Sequence, residues 1–230
     1  MPIFYQPLIP EGTHSLDAEE ARHATRVLRL QSGDTLDLTD GKGNLYKAVI
    51  TELSKAACHF SVTETIPIPK RKYAIHIAIA PTKNIDRIEW FVEKATEMGI
   101  DTISFIQCQN SERRVINLER ITKKAVSAMK QSGQAWLPEL RPISKVETLF
   151  EEVCDHKYIA YVDQANPQHL KEVPPQSNYL LLIGPEGDFT QEELKAAIDN
   201  GFQKVSLGAS TLRTETAGLA ACHILNLINT

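Results

Sequence analysis

YLLLIGPEGDFTQEELKAAIDNG, residues 179–201, reads as one complete strand–loop–helix step. Tyr179–Ile183 is the strand, and Gly184-Pro185-Glu186-Gly187 is the loop that leaves it. Thr190-Gln191-Glu192-Glu193 forms a capping box, in which a hydroxyl and a carboxylate satisfy each other's backbone donors. The helix it opens stops at Gly201. The same alternation extends outward in both directions. Upstream, Tyr73–Ala80 is a continuous apolar run, as a strand buried on both faces requires. Asn84 caps a helix carrying Ile85, Ile88, Val92 and Ala95, which stops at Gly99. Asp101–Gln107 is a strand, Leu118, Ile121, Ala125 and Ala128 mark a helix ending at Gly133, and Lys157–Val162 is a further strand. Downstream come a strand at Lys204–Leu207 and an apolar helix at Glu215–Ile228. This alternation predicts an α/β domain with a mostly parallel sheet over residues 71–230.

The first 70 residues differ in character. Thr35–Thr39 alternates apolar and polar side chains, Asp40-Gly41-Lys42-Gly43-Asn44 is a turn, and Leu45–Leu53 and Cys58–Thr65 are strands. One helix precedes them, with Ser15 as expected N-cap, Ala21, Ala24, Val27 and Leu28 at helical spacing, and Gly33 beyond its end. Short strands with one helix suggest a small closed or half-closed barrel. Ile66-Pro67-Ile68-Pro69 forbids helix and favours an extended connector, which places the domain boundary at residues 70–71.

Composition narrows the function classes. The chain has 230 residues, 42% apolar and 23% charged, so it can bury a core without disulfide or metal staples. No apolar run approaches the ~20 residues of a membrane helix. The opening MPIFYQPLIP has neither basic flank nor long apolar stretch, so no signal peptide is expected. Cys58, Cys108, Cys154 and Cys222 show no CxxC spacing, and the seven histidines show no HxxxH or HxE spacing. That pattern excludes an expected metal site and points to a reduced, cytoplasmic compartment. A net charge of −4 argues against nucleic-acid binding by bulk charge, though not against a local basic patch.

Ligands of open α/β sheets bind outside the carboxyl ends of the strands. Two strand ends carry unusual loops. In the first, two glycines flank Pro185-Glu186, where backbone amides can approach a ligand and Glu186 can accept from hydroxyls such as those of a ribose. The bland alternative is an ordinary tight βα turn. The GK[ST] ending of a phosphate-cradling loop and the dinucleotide GxGxxG are both missing, which argues against a nucleotide-binding oxidoreductase. The second loop, Leu207-Gly208-Ala209-Ser210-Thr211-Leu212-Arg213-Thr214-Glu215, sets one arginine and one glutamate among small residues. A solvated ion pair at a helix start would explain it and would contribute ~1 kcal/mol or less. An arginine is nevertheless misplaced at a positive helix N-terminus unless an anion or partner holds it there.

IGPEGDFT followed by LGASTLRTETAGLAA resembles the C-terminal signature of the bacterial 16S ribosomal RNA uridine-N3 methyltransferases, knotted enzymes of the SPOUT class that depend on S-adenosylmethionine. The resemblance extends upstream through Arg22-His23, Val27-Leu28-Arg29-Leu30, Arg87-Ile88-Glu89, Glu93-Lys94-Ala95-Thr96-Glu97-Met98-Gly99 and Gln131-Ser132-Gly133. It departs from the family pattern at Arg114 (serine there), Gln134 (a basic residue) and Asp188 (often glycine).

The resemblance implies a PUA-like β-barrel over residues 1–70 that docks RNA, and a trefoil-knotted α/β methyltransferase domain over 71–230. It implies a cytoplasmic homodimer without membrane contact or metal, acting on 16S rRNA within the assembled small subunit. Gly184, Glu186, Gly187, Leu207, Gly208 and Leu212 would line the S-adenosylmethionine site. Arg213 suits stabilisation of the uracil anion, and Glu215 suits removal of the N3 proton. Arg22, His23, Arg26, Arg29, Arg113 and Arg114 are the RNA-contact candidates, with Arg120, Lys123, Lys124 and Lys70–Lys72 as further basic positions. Trp136 reads as packing or a base-stacking surface, and His76 as a satisfied core residue. The competing readings are methylation of another RNA position and an RNA-binding module without catalysis.

Overall fold

The computed structural model describes residues 3–54, 57–162 and 168–230. The chain divides into two compact units, Met1–Lys70 with Val126–Leu137, and Arg71–Ala125 with Pro138–Thr230.

The first unit is built on β1 (Ile3–Tyr5), β2 (Ser15–Leu16), β3 (Thr35–Thr39), β4 (Asn44–Leu53) and β5 (Cys58–Pro67), in the sheet order β1-β3-β4-β5-β2. β1 runs parallel to β3, and the other pairs are antiparallel. Phe4, Leu16, Leu36, Leu38, Ile50 and Phe60 form its core beneath α1 (Ala18–Arg22). The N-cap of α1 is Asp17, not Ser15: Asp17 Oδ1 accepts from the Glu19 and Glu20 N–H groups at 2.9 and 2.8 Å. Ser15 is taken by β2, opposite His59. The helix then widens into a π-helical turn at His23–Val27, leaving Arg29 at φ 55°.

The turn between β3 and β4 is saturated with hydrogen bonds. Asp40 accepts from the Lys42 and Asn44 N–H groups, from Asn44 Nδ2 and from the Tyr46 hydroxyl. Burial opposes ionisation of Asp40, but these donors outweigh it and hold its pKa below the ordinary value. Burial, and then the bond to Asp40, push the Tyr46 hydroxyl up to about 12. Gly43, at φ 103°, lies against the Trp136 ring, where a Cβ would sit 2.2 Å from ring carbon Cζ2. Trp136 Nε1–H donates to Ile68 O, and Lys70 Nζ lies 4.7 Å from the ring centroid, so this indole is a packing element of the first unit.

In the second unit β6 (Ala74–Ile79), β7 (Thr102–Gln107), β8 (Glu139–Lys145), β9 (His156–Ala160), β10 (Asn178–Ile183) and β11 (Gln203–Val205) form a sheet ordered β11-β9-β10-β6-β7-β8. All five pairings are parallel. The helices of this unit are α2 (Ile85–Glu97), the first part of α3 (Leu118–Ser132), α4 (Gln191–Asp199) and α5 (Thr214–Leu227). The expected capping box at Thr190 and Glu193 and the expected cap at Asn84 are both formed. β8 lacks a sequence signal because Pro142 interrupts it, which an edge strand tolerates. α5 packs on α2 and β6 through Gly218, where a Cβ would lie 2.8 Å from Phe91 and 3.0 Å from Ile79.

Arg71 clamps this unit by donating to Asn226 Oδ1, Asp101 Oδ2 and Gly99 O. Its guanidinium is therefore a structural brace. His76 meets Ser104 Oγ at 2.7 Å, and burial lowers its pKa to about 4, as a satisfied core histidine requires. The four cysteines are free thiols. Among the described residues no helix is long and apolar enough to cross a membrane, and no cluster of metal-ligating side chains occurs.

Candidate active site

The carboxyl ends of β9, β10 and β11 open into a cavity of about 710 Å³. The two loops singled out from the sequence meet there. Gly184, Pro185, Glu186 and Asp188 line one side, and residues 206–214 line another. Tyr161, Val162, Ala217 and Arg87 also line it. Of the expected cofactor residues, Gly184, Glu186, Leu207, Gly208 and Leu212 all line the cavity. Gly187 is not among its lining residues; it faces Asn110, whose Nδ2 donates to Gly187 O and Asp188 O at 3.1 and 3.0 Å.

Each loop has a local reason for its shape. At Gly184 a Cβ would lie 3.0 Å from the Phe189 ring, so the missing side chain lets that ring close under the loop. Asp188 takes φ 60°, a region a glycine enters more easily, and its Oδ1 accepts from the Phe189 N–H at 2.8 Å. Burial pushes the Asp188 carboxyl above its ordinary pKa, against that hydrogen bond. Gly208 takes φ 139°, and nothing lies within 4 Å of where its Cβ would stand. The Thr214 hydroxyl donates to Gly184 O at 3.1 Å and so ties the start of α5 to the first loop.

Arg87, Glu186, Asp188 and Arg213 are the charged residues that line the cavity, and Glu215 is not among its lining residues. Arg213 is exposed and lines the cavity. Glu215, in the first turn of α5, has a side chain only 9% exposed. Its Oε2 is buried with no hydrogen-bond partner. Arg87 reaches both acidic groups, with Nη1 3.9 Å from Glu186 Oε1 and Nε 3.8 Å from Glu215 Oε1. Sequence reasoning gave Arg87 no role in the site, although the argument applied to Arg213, a cation at a helix N-terminus, also applies to it. It likewise missed Asn110, because nothing local shows that the end of β7 braces a loop after β10.

The RNA-contact candidates separate by what they already hold. Arg22, Arg26 and Arg29 are exposed and carry no ion pair among the described residues, and Arg114 is exposed as well. His23 is half-buried, with its ring 5.9 Å from that of Phe4. Arg113 is committed to the backbone: Nε–H donates to Thr82 O at 3.0 Å and Nη2–H to Lys83 O at 2.5 Å. Arg120 is paired with Glu89 and Asp86.

Residues 69–226 match the RNA methyltransferase domain family, and residues 16–63 match the RNA methyltransferase PUA domain. The ribosomal RNA small subunit methyltransferase E of Synechocystis is 30% identical, over 96% of this chain and 75% of that protein. The Bacillus subtilis protein of the same name is 28% identical, over 93% of this chain and 90% of its own. A crystal structure of a probable rRNA methyltransferase from Porphyromonas gingivalis superposes with a TM-score of 0.92 at 43% identity, covering 99% of both chains. The Neisseria gonorrhoeae methyltransferase E, solved bound to S-adenosyl methionine, superposes at 0.87 with 27% identity, over 100% of this chain and 98% of that one. With a glycine-built cavity at the strand ends and these likenesses over nearly its whole length, the chain belongs to the RNA methyltransferase family, as a relative of the ribosomal RNA small subunit methyltransferases E.

Proposed function

We propose that this protein uses S-adenosylmethionine to methylate N3 of a uridine in 16S rRNA. The cavity is the observation that carries this reading. It joins two glycine-relaxed loops at the strand ends, and the similar Neisseria gonorrhoeae structure carries this cofactor. Gly184, Glu186, Leu207, Gly208 and Leu212 are the proposed cofactor contacts, with Glu186 as acceptor for the ribose hydroxyls and Gly187 contributing through the shape of the loop. The bound cofactor would supply a methyl group already activated by its sulfonium. What remains for the chain is to expose a nucleophile and hold it in line.

Uracil N3 carries a proton and attacks poorly until that proton leaves. Glu215 is the proposed acceptor, since its Oε2 has no hydrogen-bond partner. The resulting anion spreads over N3 and the two flanking carbonyl oxygens. Arg213, a fixed cation with several donors on the cavity wall, would stabilise that charge. N3 lies on the pairing edge, so the target base must be unpaired or flipped out. Arg22, His23, Arg26 and Arg29 in the first unit and Arg114 in the second are the proposed phosphate contacts; Arg113 acts by holding the loop before α2.

The reading extends to a cytoplasmic homodimer with the trefoil knot of its class. Exposed Leu227 on α5 and Trp90 on α2 are apolar side chains open to a second copy. The test is methyl transfer from labelled S-adenosylmethionine to small ribosomal subunits from cells that lack the modification. Label in 3-methyluridine is expected. Label in another nucleoside would keep the enzyme class and overturn the position. No label with cofactor still bound would favour the non-catalytic RNA-binding module.

A further inference from the structure

We propose that Arg87 is a positioning residue of the transfer site, holding the buried Glu215 and the loop glutamate Glu186 as one unit around a single guanidinium. The inference rests on the reading of Glu215 as proton acceptor and adds the group that keeps it in place.

Glu215 is a carboxylate in a side chain nine-tenths buried, and Arg87 is its only ion-pair partner among the described residues. A buried charge without a counter-ion is strongly unfavourable, so Arg87 has to stay close. Its separations of 3.8 and 3.9 Å are longer than hydrogen bonds. They attract without fixing an oxygen, which leaves Glu215 Oε2 uncommitted. A single guanidinium thus stands near two acidic groups, one on the cavity wall and one buried beside it.

Arg87 is itself held in place. It lies in the first turn of α2, capped by Asn84 Oδ1, which accepts from the Asp86 N–H at 3.0 Å. The segment before that cap is gripped by Arg113 through Thr82 O and Lys83 O. The guanidinium of Arg87 lines the cavity beside Glu186, on the loop assigned to the cofactor. The charge that steadies Glu215 therefore also borders the ligand site.

The test combines two measurements on the full-length protein. The first is thermal unfolding of Arg87→Ala, Glu215→Gln and the double variant. Arg87→Ala alone should lower Tm by several degrees, about 4 °C, because it strands a buried carboxylate. Glu215→Gln added to it should recover most of that loss. Additive shifts would overturn the inference, whatever the protein's substrate. The second measurement is single-turnover methyl transfer to small subunits, with cofactor affinity measured alongside. Arg87→Ala should slow transfer about 100-fold, while Arg87→Lys restores part of the rate. In the Glu215→Gln background the same substitution should change the rate little. Equal rate losses in both backgrounds would mean that Arg87 contacts the substrate independently and would overturn the positioning role. Absence of 3-methyluridine with the unsubstituted protein would sink the functional reading instead, and the unfolding cycle would still decide the Arg87–Glu215 pair.

Discussion

The Asp40–Asn44 turn of the first unit and the cavity loops of the second are built from the same materials, glycines beside an acidic side chain, with opposite results. In the turn every polar atom of the Asp40 carboxylate is used, by four donors, and the Trp136 ring closes over Gly43. Behind Arg87 of the cavity wall, Glu215 Oε2 is buried without a partner, and nothing stands within 4 Å of a side chain added at Gly208. A saturated glycine turn is a joint, because its bonds are all internal. An under-bonded one at a strand end keeps its donors, acceptors and space for something that binds. The comparison makes substitutions in the first region matter for stability and those in the second for chemistry.

The largest expected effect tests the joint. Gly43→Ala sets a methyl group 2.2 Å from Trp136 and forces φ 103° on an L-residue. The indole, which is half-buried, has to leave its seat, a loss somewhat below that of deleting a core aromatic side chain, about 3 kcal/mol. Urea unfolding should show a large drop in midpoint, with the isolated cofactor affinity of the folded fraction unchanged. A wild-type midpoint would mean that the ring is not seated as described.

The next substitution applies the same logic to the cavity. Arg213→Ala removes an exposed cation that no internal ion pair uses among the described residues. Stability should stay within about 0.5 kcal/mol of the parent. Transfer should fall about 100- to 1,000-fold, as on removal of a donor aimed at developing negative charge. Full turnover with normal cofactor binding would remove Arg213 from the mechanism.

His76 supplies a pH signature that belongs to the sheet and not to the site. Its pKa is about 4 in the fold and ~6.5 when unfolded. Between those values the unfolded chain binds the extra proton, so stability rises with pH across that window and is lost as pH falls through it. The full contribution is about 3 kcal/mol. Unfolding free energies at pH 7 and pH 5 should differ less in His76→Gln than in the parent. Equal differences would place the titration elsewhere.

Local rules made much of this legible from the residues. Asn84, Gly99, Thr190 with Glu193, and Gly201 act within one turn of helix, so their signals survive any tertiary arrangement. Both cavity loops announced themselves by glycine and misplaced charge. The features that escaped depend on distant partners or on very short elements. β1 and β2 have three and two residues, too few to carry a period. Ser15 looked like a cap until β5 claimed it as a strand partner, leaving Asp17 to take the role. Arg87 and Asn110 gain their meaning only when β6 pairs with β10 and β7 pairs with β6, and the strand order that brings them there has no local signature.

The smallest effect divides the arginines read as RNA contacts. Arg26 is exposed, three residues past His23 in the π-helical turn, with no ion pair among the described residues. Arg113 has its guanidinium committed to two backbone carbonyls. Arg26→Ala should leave Tm unchanged and weaken RNA binding modestly. It should also reduce the salt slope of that binding by about 0.7, as loss of one phosphate contact to single-stranded RNA does. Arg113→Ala should leave the salt slope alone and instead lower Tm and the transfer rate together, because the loop that sets α2 and Arg87 loses its grip. The slope is the discriminating quantity, since a structural arginine can weaken binding but releases no counter-ions when it is lost. If Arg113→Ala lowers the slope and Arg26→Ala does not, then engagement in the free protein is a poor guide to what meets the RNA, and the contrast between saturated and under-bonded groups fails where it matters most.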